Sequence, residues 1–221
     1  MTETVPPSPR STLKRAAERG HYDAETIHAI VDASYVCHVA WQSNGNVLCI
    51  PTACWRMDDR LYIHGSNGSR MMKDLAQGAP CCVTLTLLDG LVLAKSAFSH
   101  SMNYRSVVIH GQFELVNDNA KPAVLDALVD WIVPGRAQQA RPADANELQA
   151  TTVLALPLTE AAAKIRAWGP RDKDADADWP CWSGVLPMSL QPLAPQAHET
   201  PDHPLAGAPI PHWTQGGVIR N

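Results

Sequence analysis

Residues 47–65 read VLCIPTACWRMDDRLYIHG, two apolar stretches joined by a short charged turn. Short runs rich in Val, Ile, Thr, Tyr and Trp are typical of β-strands. Just before them, Asn44 and Gly45 form a dipeptide that favours the positive φ angles of a tight hairpin turn. The stretch 34–65 therefore predicts a three-stranded antiparallel meander, with a break or an edge position at Pro51.

The same alternation of short strands and turns continues along the chain. Helices are predicted at 23–33, 69–77 and 117–133, where Asp23 and Ser69 are suited to cap the first two. A second hairpin is predicted at Asp89 and Gly90, and residues 134–146 are predicted as a loop. Further strands are predicted at 80–88, 91–99, 104–116 and 151–158.

This order of elements indicates the fold class. Six or seven consecutive short strands with few helices predict a closed or partly closed antiparallel barrel, mainly β with peripheral helices (α+β). The sequence has no G-x-G-x-x-G motif and no phosphate-loop motif, so a dinucleotide-binding βαβ unit is not expected.

Composition limits the class of protein. The chain has 221 residues, 45% of them hydrophobic and 18% charged, and a net charge of −4. Such a balance is typical of a globular protein and gives no general attraction to nucleic acid or to a membrane. No apolar run approaches the ~20 residues of a membrane helix, and the N-terminal segment lacks the apolar core of a secretory signal. A cytoplasmic location is therefore predicted.

Proline positions suggest three regions. Prolines are concentrated near both ends of the chain. We therefore predict a flexible leader at 1–11, a folded domain at 12–190 and an irregular Pro-rich tail at 191–221.

Cysteines and histidines give little support for a metal site. The six cysteines include no C-x-x-C pair, which favours buried, reduced thiols over zinc ligands or disulfides. No pair of histidines has H-x-H or H-x-x-x-H spacing, so no metal is predicted. A serine hydrolase is not indicated either, because the G-x-S-x-G elbow is missing.

The turn at 64–70, HGSNGSR, is the strongest candidate site. The first N–H groups of a helix lack internal partners and attract anions. Ser66 and Ser69 add hydroxyl donors there, while Arg70 and Lys73 add positive charge, so the turn is suited to a phosphate. In the alternative interpretation Ser69 is only a helix cap and the two cations are solvated. His64 is either an ordinary strand-end residue or part of the site.

These motifs resemble a known family. Their order along the chain is similar to that in the flavin-nucleotide-binding branch of the pyridoxamine 5′-phosphate oxidase-like superfamily. The segments that carry this similarity are the stretch 47–65, the H-x-S-x-x-S-R segment, NYRSVVIHG at 103–111 and WSGVLP at 182–187. That branch is also similar to nitroimidazole-resistance reductases. The resemblance covers roughly residues 12–190.

The resemblance implies a split β-barrel homodimer that binds FMN between its subunits. It places the phosphate at the turn, the flavin ring along strand 50–52, and His64 beside the flavin as the candidate catalytic residue. The partner subunit would contribute residues near 101–106 and the tail. The cofactor-binding residues it implies are Ile50, Pro51, Thr52, His64, Ser66, Ser69, Arg70, Met71, Lys73, Thr84, Thr86, Tyr104, Arg105 and Trp182.

Several alternatives stay open at this point. Trp55, Trp168 or Trp182 could cover the flavin ring, although core packing is the preferred interpretation for Trp55. Tyr104 and Arg105 either bind an anionic substrate group or form a structural pair.

The substrate expected for the family is not expected here. True pyridoxamine phosphate oxidases carry Arg and Lys on an early strand, but residues 49–55 contain neither. They also end in an Arg-Leu-x-x-Arg-like stretch, which residues 178–190 lack. The resemblance therefore implies a flavin-dependent oxidoreductase of nitro- or quinone-like compounds. The alternatives are a non-catalytic flavin carrier or sensor, and a haem-handling protein with His198, His203 or His212 as ligand.

Overall fold

The computed structural model describes residues 5–196 and 198, together with the backbone of two short strands at 213–214 and 217–218. The described residues form two compact units, one within the ranges 1–116 and 150–189 and the other within the ranges 117–149 and 190–221. The predicted boundaries of leader, domain and tail stay predictions. His203 and His212 lie outside the described residues, and His198 is exposed.

The larger sheet of the first unit has seven antiparallel strands. Six of them lie side by side, and the seventh pairs with one of the middle strands. In spatial order the six are β1 (Gly20–His21), β10 (Ala161–Arg166), β7 (Ser101–Gln112), β6 (Pro80–Leu93), β2 (Val36–Ser43) and β3 (Asn46–Ala53), and β11 (Gly184–Pro187) pairs with β6.

The smaller sheet of the same unit has four strands. They are, in spatial order, β4 (Trp55–Met57), β5 (Arg60–Ser66), β9 (Thr151–Pro157) and β8 (Glu114–Leu115). The two sheets do not close into one continuous barrel, which is the split arrangement. The predicted fold class, mainly β with peripheral helices, is confirmed.

Two helices of this unit begin where the sequence predicts capping residues. The Asp23 carboxylate accepts a hydrogen bond of 2.8 Å from the Thr26 N–H at the start of α1 (Ala24–Asp32). Ser69 caps α2 (Arg70–Ala76), which ends before Gly78 at a positive φ of 83°. That φ is accessible to glycine without steric cost, so Gly78 stops the helix.

The core lies between the sheets and these helices. Alternate residues of the strands point to one face, so Val39, Val83 and Ile109 meet inside while their neighbours point away. The indole Nε1 of Trp41 donates to Asp74 on α2 at 2.9 Å, which joins the helix to β2. The same core cluster includes Ile27, Ile30, Leu61, Ile63, Leu75, Leu85, Val107, Leu154 and Leu156.

One of the two predicted hairpins is correct. Asn44 and Gly45 have φ angles of 50° and 79° and join β2 to β3. At Asp89 and Gly90, however, β6 continues through a register shift instead of turning back. The predicted strand at 91–99 is therefore partly the second half of β6.

The reason for the wrong hairpin lies in distant residues. The Asp89 carboxylate accepts two hydrogen bonds from Arg105 on β7, and Gly90 lies against Val185 and Leu186 of β11. These contacts hold the Asp-Gly pair as a bulge within a paired strand. The strands β10 and β11 were not predicted from the sequence.

The second unit contains α3 (Lys121–Ile132), most of α4 (Ala145–Ala150) and the paired strands β12 (Trp213–Thr214) and β13 (Gly217–Val218). The predicted helix 117–133 is confirmed in its main part as α3, but α4 begins inside the predicted loop. Nowhere in the described residues is there a helix that is long and apolar enough to cross a membrane.

The cysteines are more varied than predicted. Cys37, Cys54 and Cys81 are buried, as the apolar strands suggest, but Cys49 and Cys181 are exposed. Burial raises the pKa of the Cys81 thiol to about 12, so that thiol stays protonated at neutral pH.

Candidate functional site

The predicted phosphate turn connects β5 to α2 and is built by its two serines. Ser66 Oγ accepts from the Gly68 N–H at 3.1 Å, and Ser69 Oγ accepts from the Met72 N–H at 3.5 Å. The Ser69 N–H donates to the Ser66 carbonyl at 2.9 Å. Each hydroxyl oxygen therefore accepts from the backbone, and its hydrogen remains able to donate to a ligand.

The turn is held in place from two sides. The Asn67 N–H donates to the Ala150 carbonyl at 3.0 Å, and the Thr152 hydroxyl donates to the Asn67 side chain at 2.7 Å. On the other side, a Cβ added at Gly65 would lie 2.9 Å from Cγ of the buried Met72. Gly65 thus allows α2 to approach β5 closely, and the turn is positioned before any ligand binds.

Positive charge at the turn is little compensated. Arg70 and Lys73 are exposed, and within the described part of the chain neither forms an ion pair. The pKa of the nearby Asp74 is lowered first by hydrogen bonds from Trp41 and Ser43, and Arg70 contributes least. Met71 is buried in the core, so only its backbone is available to the turn.

His64 lies at the end of β5 beside two aromatic rings. Its ring is 5.9 Å from that of Trp55, which stacks on Tyr62 at 5.7 Å. His64 Nδ1 is buried and has no hydrogen-bond partner among the described residues. Burial lowers the pKa of His64, so the imidazole is neutral at neutral pH. Trp55 is fully buried, which confirms the preferred interpretation of core packing.

Of the predicted ring-binding residues, Pro51, Thr84 and Thr86 lie on the face of the large sheet that points away from the core. Pro51, His38 and Thr84 are register partners across β3, β2 and β6, and Thr84 is paired in turn with Val108. Ile50 and Thr52 alternate with Pro51 and lie on the opposite face, in register with buried residues of β2, and Ile50 is 40% exposed because β3 is at the edge of the sheet. The row of Pro51, His38 and Thr84 is therefore accessible to a ligand or a second chain.

The structure places the other predicted residues as follows. Thr52 is half-buried, Thr86 is exposed opposite Ser106, and Tyr104 is half-buried opposite Leu88. Trp182 is 61% exposed, and its ring lies against Gly184.

Arg105 is not a free cation. Its Nε and Nη2 donate to the two carboxylate oxygens of Asp89 at 3.0 and 2.8 Å. Of the two alternatives for this residue, the structure favours the structural pair. Hydrogen bonding to Asp89 also raises the pKa of Arg105, so it stays charged.

Apart from Trp182, which precedes β11, the predicted residues form two groups within the unit. The turn group lies on β5 and α2, and the sheet group lies on β3, β6 and β7. Throughout the described residues, no hydrogen bond joins the turn to Ile50, Pro51, Thr52, Thr84 or Thr86.

Sequence reasoning missed a cluster of arginines around Trp168. The guanidinium groups of Arg19, Arg166 and Arg171 lie within 4.8 to 5.1 Å of its ring centroid. The sequence RAWGPR at 166–171 shows two of the three. Arg19 is distant in sequence, and only the pairing of β1 with β10 brings it there.

Comparisons with known proteins identify the family. The sequence profile of pyridoxamine 5′-phosphate oxidase matches residues 23–165, most of the chain. The chain therefore belongs to the pyridoxamine 5′-phosphate oxidase family, as the sequence resemblance implied. A comparison with curated protein sequences gives no significant match.

Solved structures agree with this assignment. The flavocytochrome Anf3 from Azotobacter vinelandii is 40% identical, with a TM-score of 0.84, over 90% of this chain and 94% of that chain. The FAD and haem binding protein from Mycobacterium smegmatis is 37% identical, with a TM-score of 0.81, over 87% of this chain and 94% of that chain.

A third structure is similar in fold alone. It is described as a 5-nitroimidazole antibiotic resistance protein from Bacteroides thetaiotaomicron. It is 20% identical, with a TM-score of 0.56, over 66% of this chain and 86% of that chain.

Proposed function

We propose that this chain is a flavin-binding redox protein that holds the flavin phosphate at the turn of residues 66–73. The observation that carries the proposal is the prearranged turn, where two serine hydroxyls can still donate and two exposed cations form no ion pair with the described residues. Charge-assisted hydrogen bonds from such groups are the strong contacts of phosphate sites. Family membership and the descriptions of the two most similar structures above support the same conclusion.

The form of the flavin is a finer proposal. FMN is the form that the sequence resemblance implies. FAD contains the same phosphate next to the ribityl chain, so the turn is suited to either. One relative at 37% identity is described as FAD-binding, which makes FAD the second candidate.

We further propose that the site is completed in a homodimer. The exposed face of β3 and β6 carries residues suited to line a flavin ring, but the described chain does not join it to the turn. A second copy could cover Ile50 and bring the region of Trp182 to the ring. The oligomeric state, measured by light scattering, tests this part separately.

The flavin would supply the redox chemistry, and the chain would supply binding, orientation and electrostatics. His64, which is neutral and whose buried Nδ1 has no hydrogen-bond partner among the described residues, is the residue we propose beside the flavin ring. The substrate class we propose is a nitro- or quinone-like compound. A non-catalytic carrier or sensor would bind the same flavin but would not pass electrons to such acceptors.

Haem binding is a second candidate function. It is favoured by one observation, that the relatives at 40% and 37% identity are described as a flavocytochrome and as an FAD and haem binding protein. An absorption spectrum of the protein with and without added haem tests it, since bound haem gives an intense Soret band.

The experiment that tests the turn compares riboflavin with FMN. The two differ only in the phosphate, so quenching of flavin fluorescence by the protein reports its contribution. We expect FMN to bind about 10- to 100-fold more tightly than riboflavin, the scale of a charge-assisted contact. Equal affinities would show that the turn does not hold the phosphate.

A further inference from the structure

The arginine cluster has no role in the function proposed above. Its three members come from different places in the chain: Arg19 precedes β1, Arg166 ends β10, and Arg171 follows in the next loop. Their guanidinium carbons lie 4.9, 5.1 and 4.8 Å from the centroid of the Trp168 ring. Three positive charges therefore lie around one indole ring.

Attraction to the ring does not balance this charge. A cation–π contact contributes modestly at a partly exposed site, while three like charges around one ring repel each other. Burial, and then Arg19 and Arg171, lower the pKa of Arg166, which shows that its charged form is held at a cost.

Arg166 is the buried centre of the cluster, with 5% of its surface exposed. Its guanidinium donates to the Asn103 side chain, to the Trp168 carbonyl at 2.8 Å and to the Gly169 carbonyl at 3.2 Å. All three acceptors are neutral. Buried charges in proteins are usually paired with an opposite charge, and the described residues contain no carboxylate paired with Arg166.

The outer two arginines have donors to spare. Arg19 Nε is buried and forms an ion pair with Glu18 at 3.5 Å, while the hydrogen bonds of the described residues include none from the Nη groups of Arg19. Arg171 is exposed, and the described residues offer it no carboxylate partner. Guanidinium forks match the oxygens of phosphates in geometry and charge.

We propose that Arg19, Arg166 and Arg171, gathered around Trp168, form a binding site for a phosphate-bearing anion. The anion supplies negative charge beyond that of Glu18 and accepts from the Nη groups of Arg19 and from the guanidinium of Arg171. The Trp168 ring holds the outer arginines in place, and Arg166 fixes the backbone of Trp168 through its hydrogen bond to the Trp168 carbonyl. This site is separate in sequence and in sheet position from the turn at 66–73.

Two sources of this phosphate are chemically equivalent. One is a separate ligand, such as a nucleotide substrate. The other is a phosphate of the flavin cofactor itself, in which case the inference rests on the proposed function.

The test is calorimetric titration with pyrophosphate at constant ionic strength. It uses the protein as purified and the same protein saturated with FMN or FAD. The variants are Arg19→Gln and Arg171→Gln, which change the half-buried and the exposed member and leave the buried Arg166 intact. Arg141→Gln removes the same charge from an exposed arginine outside the cluster and is the matched control.

We expect saturable binding of pyrophosphate that each cluster variant weakens about tenfold or more, while Arg141→Gln leaves it unchanged. Binding that persists in the flavin-saturated protein identifies a separate ligand. Binding abolished by flavin, with weaker flavin affinity in Arg171→Gln, identifies the cofactor phosphate.

No binding in either form, or binding equal in all variants, would overturn the proposal and leave the cluster a packing feature. A protein that binds pyrophosphate through Arg171 but takes up no flavin would refute the proposed function and support this inference. The two failures are therefore distinguishable.

Discussion

Arg70 and Arg105 were both predicted to bind the cofactor, yet their surroundings in the structure differ. Arg70 begins α2, is exposed, and among the described residues pairs with no carboxylate. Arg105 lies within β7, where Asp89 accepts two hydrogen bonds from its guanidinium. One cation is available to a ligand, and the other is already neutralised by the fold.

The difference teaches how a structural cation is separated from a functional one. A surface arginine with an ideal bidentate partner stabilises its own neighbourhood, here the bulge in β6. An arginine at a helix start without a partner adds to the positive field that attracts an anion. The sequence predicts a binding role for both arginines. Only the structure distinguishes them, because it shows which arginine has a carboxylate partner.

The largest effect should come from Arg70→Ala. We expect it to weaken FMN binding by about 1.5–3 kcal/mol, the value of a hydrogen bond to a charged group. Arg105→Ala is the contrast variant, and its effect on FMN binding should be much smaller. Fluorescence titration measures both. Unchanged affinity in Arg70→Ala, or the reverse order of the two variants, would contradict the comparison.

The next effect is on the free energy of unfolding, and it tests the close approach of α2 to β5 at Gly65. Gly65→Ala places a Cβ against Cγ of Met72, so α2 must shift, and we expect a loss of about 1–3 kcal/mol in the free energy of unfolding. Gly68→Ala is the matched control, because its Cβ would meet only Ser66 Oγ at 3.5 Å. Its effect should stay within about 0.5 kcal/mol. Urea unfolding monitored by circular dichroism measures both, and equal losses would refute the close approach at Gly65.

A smaller change is expected when the structural pair is broken. The side chains of Arg105 and Asp89 are 40% and 31% exposed, so water screens their attraction. We expect Arg105→Ala to lower the free energy of unfolding by about 0.5–1 kcal/mol. Arg70→Ala should leave it nearly unchanged. If Arg70→Ala were the more destabilising variant in the same urea experiment, Arg70 would be the structural residue.

The smallest effect is the pH dependence contributed by His64. Burial lowers its pKa in the folded protein below 6.5, so the unfolded chain binds the proton first as the pH falls. Stability should therefore decrease as the pH falls through 6.5 and continue to decrease until the folded pKa is reached. Above this window the histidine is neutral in both states and contributes no slope.

The measurement is urea unfolding between pH 5 and 8 for the wild type and His64→Gln. The variant should show a shallower loss at low pH. The pKa of His110 is also lowered, by burial and by Arg10. Because His110 is present in both proteins, its contribution to the pH dependence cancels in the comparison. An identical slope in the two proteins would place His64 in contact with solvent.

Local signals in the sequence were sufficient for much of the fold. Asp23 and Ser69 cap helices through their own side chains, and Asn44-Gly45 turns a hairpin through its own φ angles. Asp89-Gly90 carries the same local signal and fails, because Arg105 and β11 act on it from a distance. A dipeptide pattern contains no information about such partners.

The candidate site shows the same difference between local signals, which the sequence contains, and distant contacts, which it does not. The turn at 66–69 was predictable because its serines bond to backbone only two or three residues away. The pairing of Arg105 and the gathering of arginines around Trp168 were not, since both depend on strand register. A single sequence likewise does not predict which face of a strand contacts a second chain.

The most direct test of the central claim is the visible spectrum of the freshly purified protein, followed by mass analysis of what denaturation releases. We predict the absorption bands of oxidised flavin and the release of FMN or FAD in proportion to the protein. A colourless protein that also fails to bind added FMN and FAD would contradict the assignment of residues 66–73 as a flavin-phosphate site.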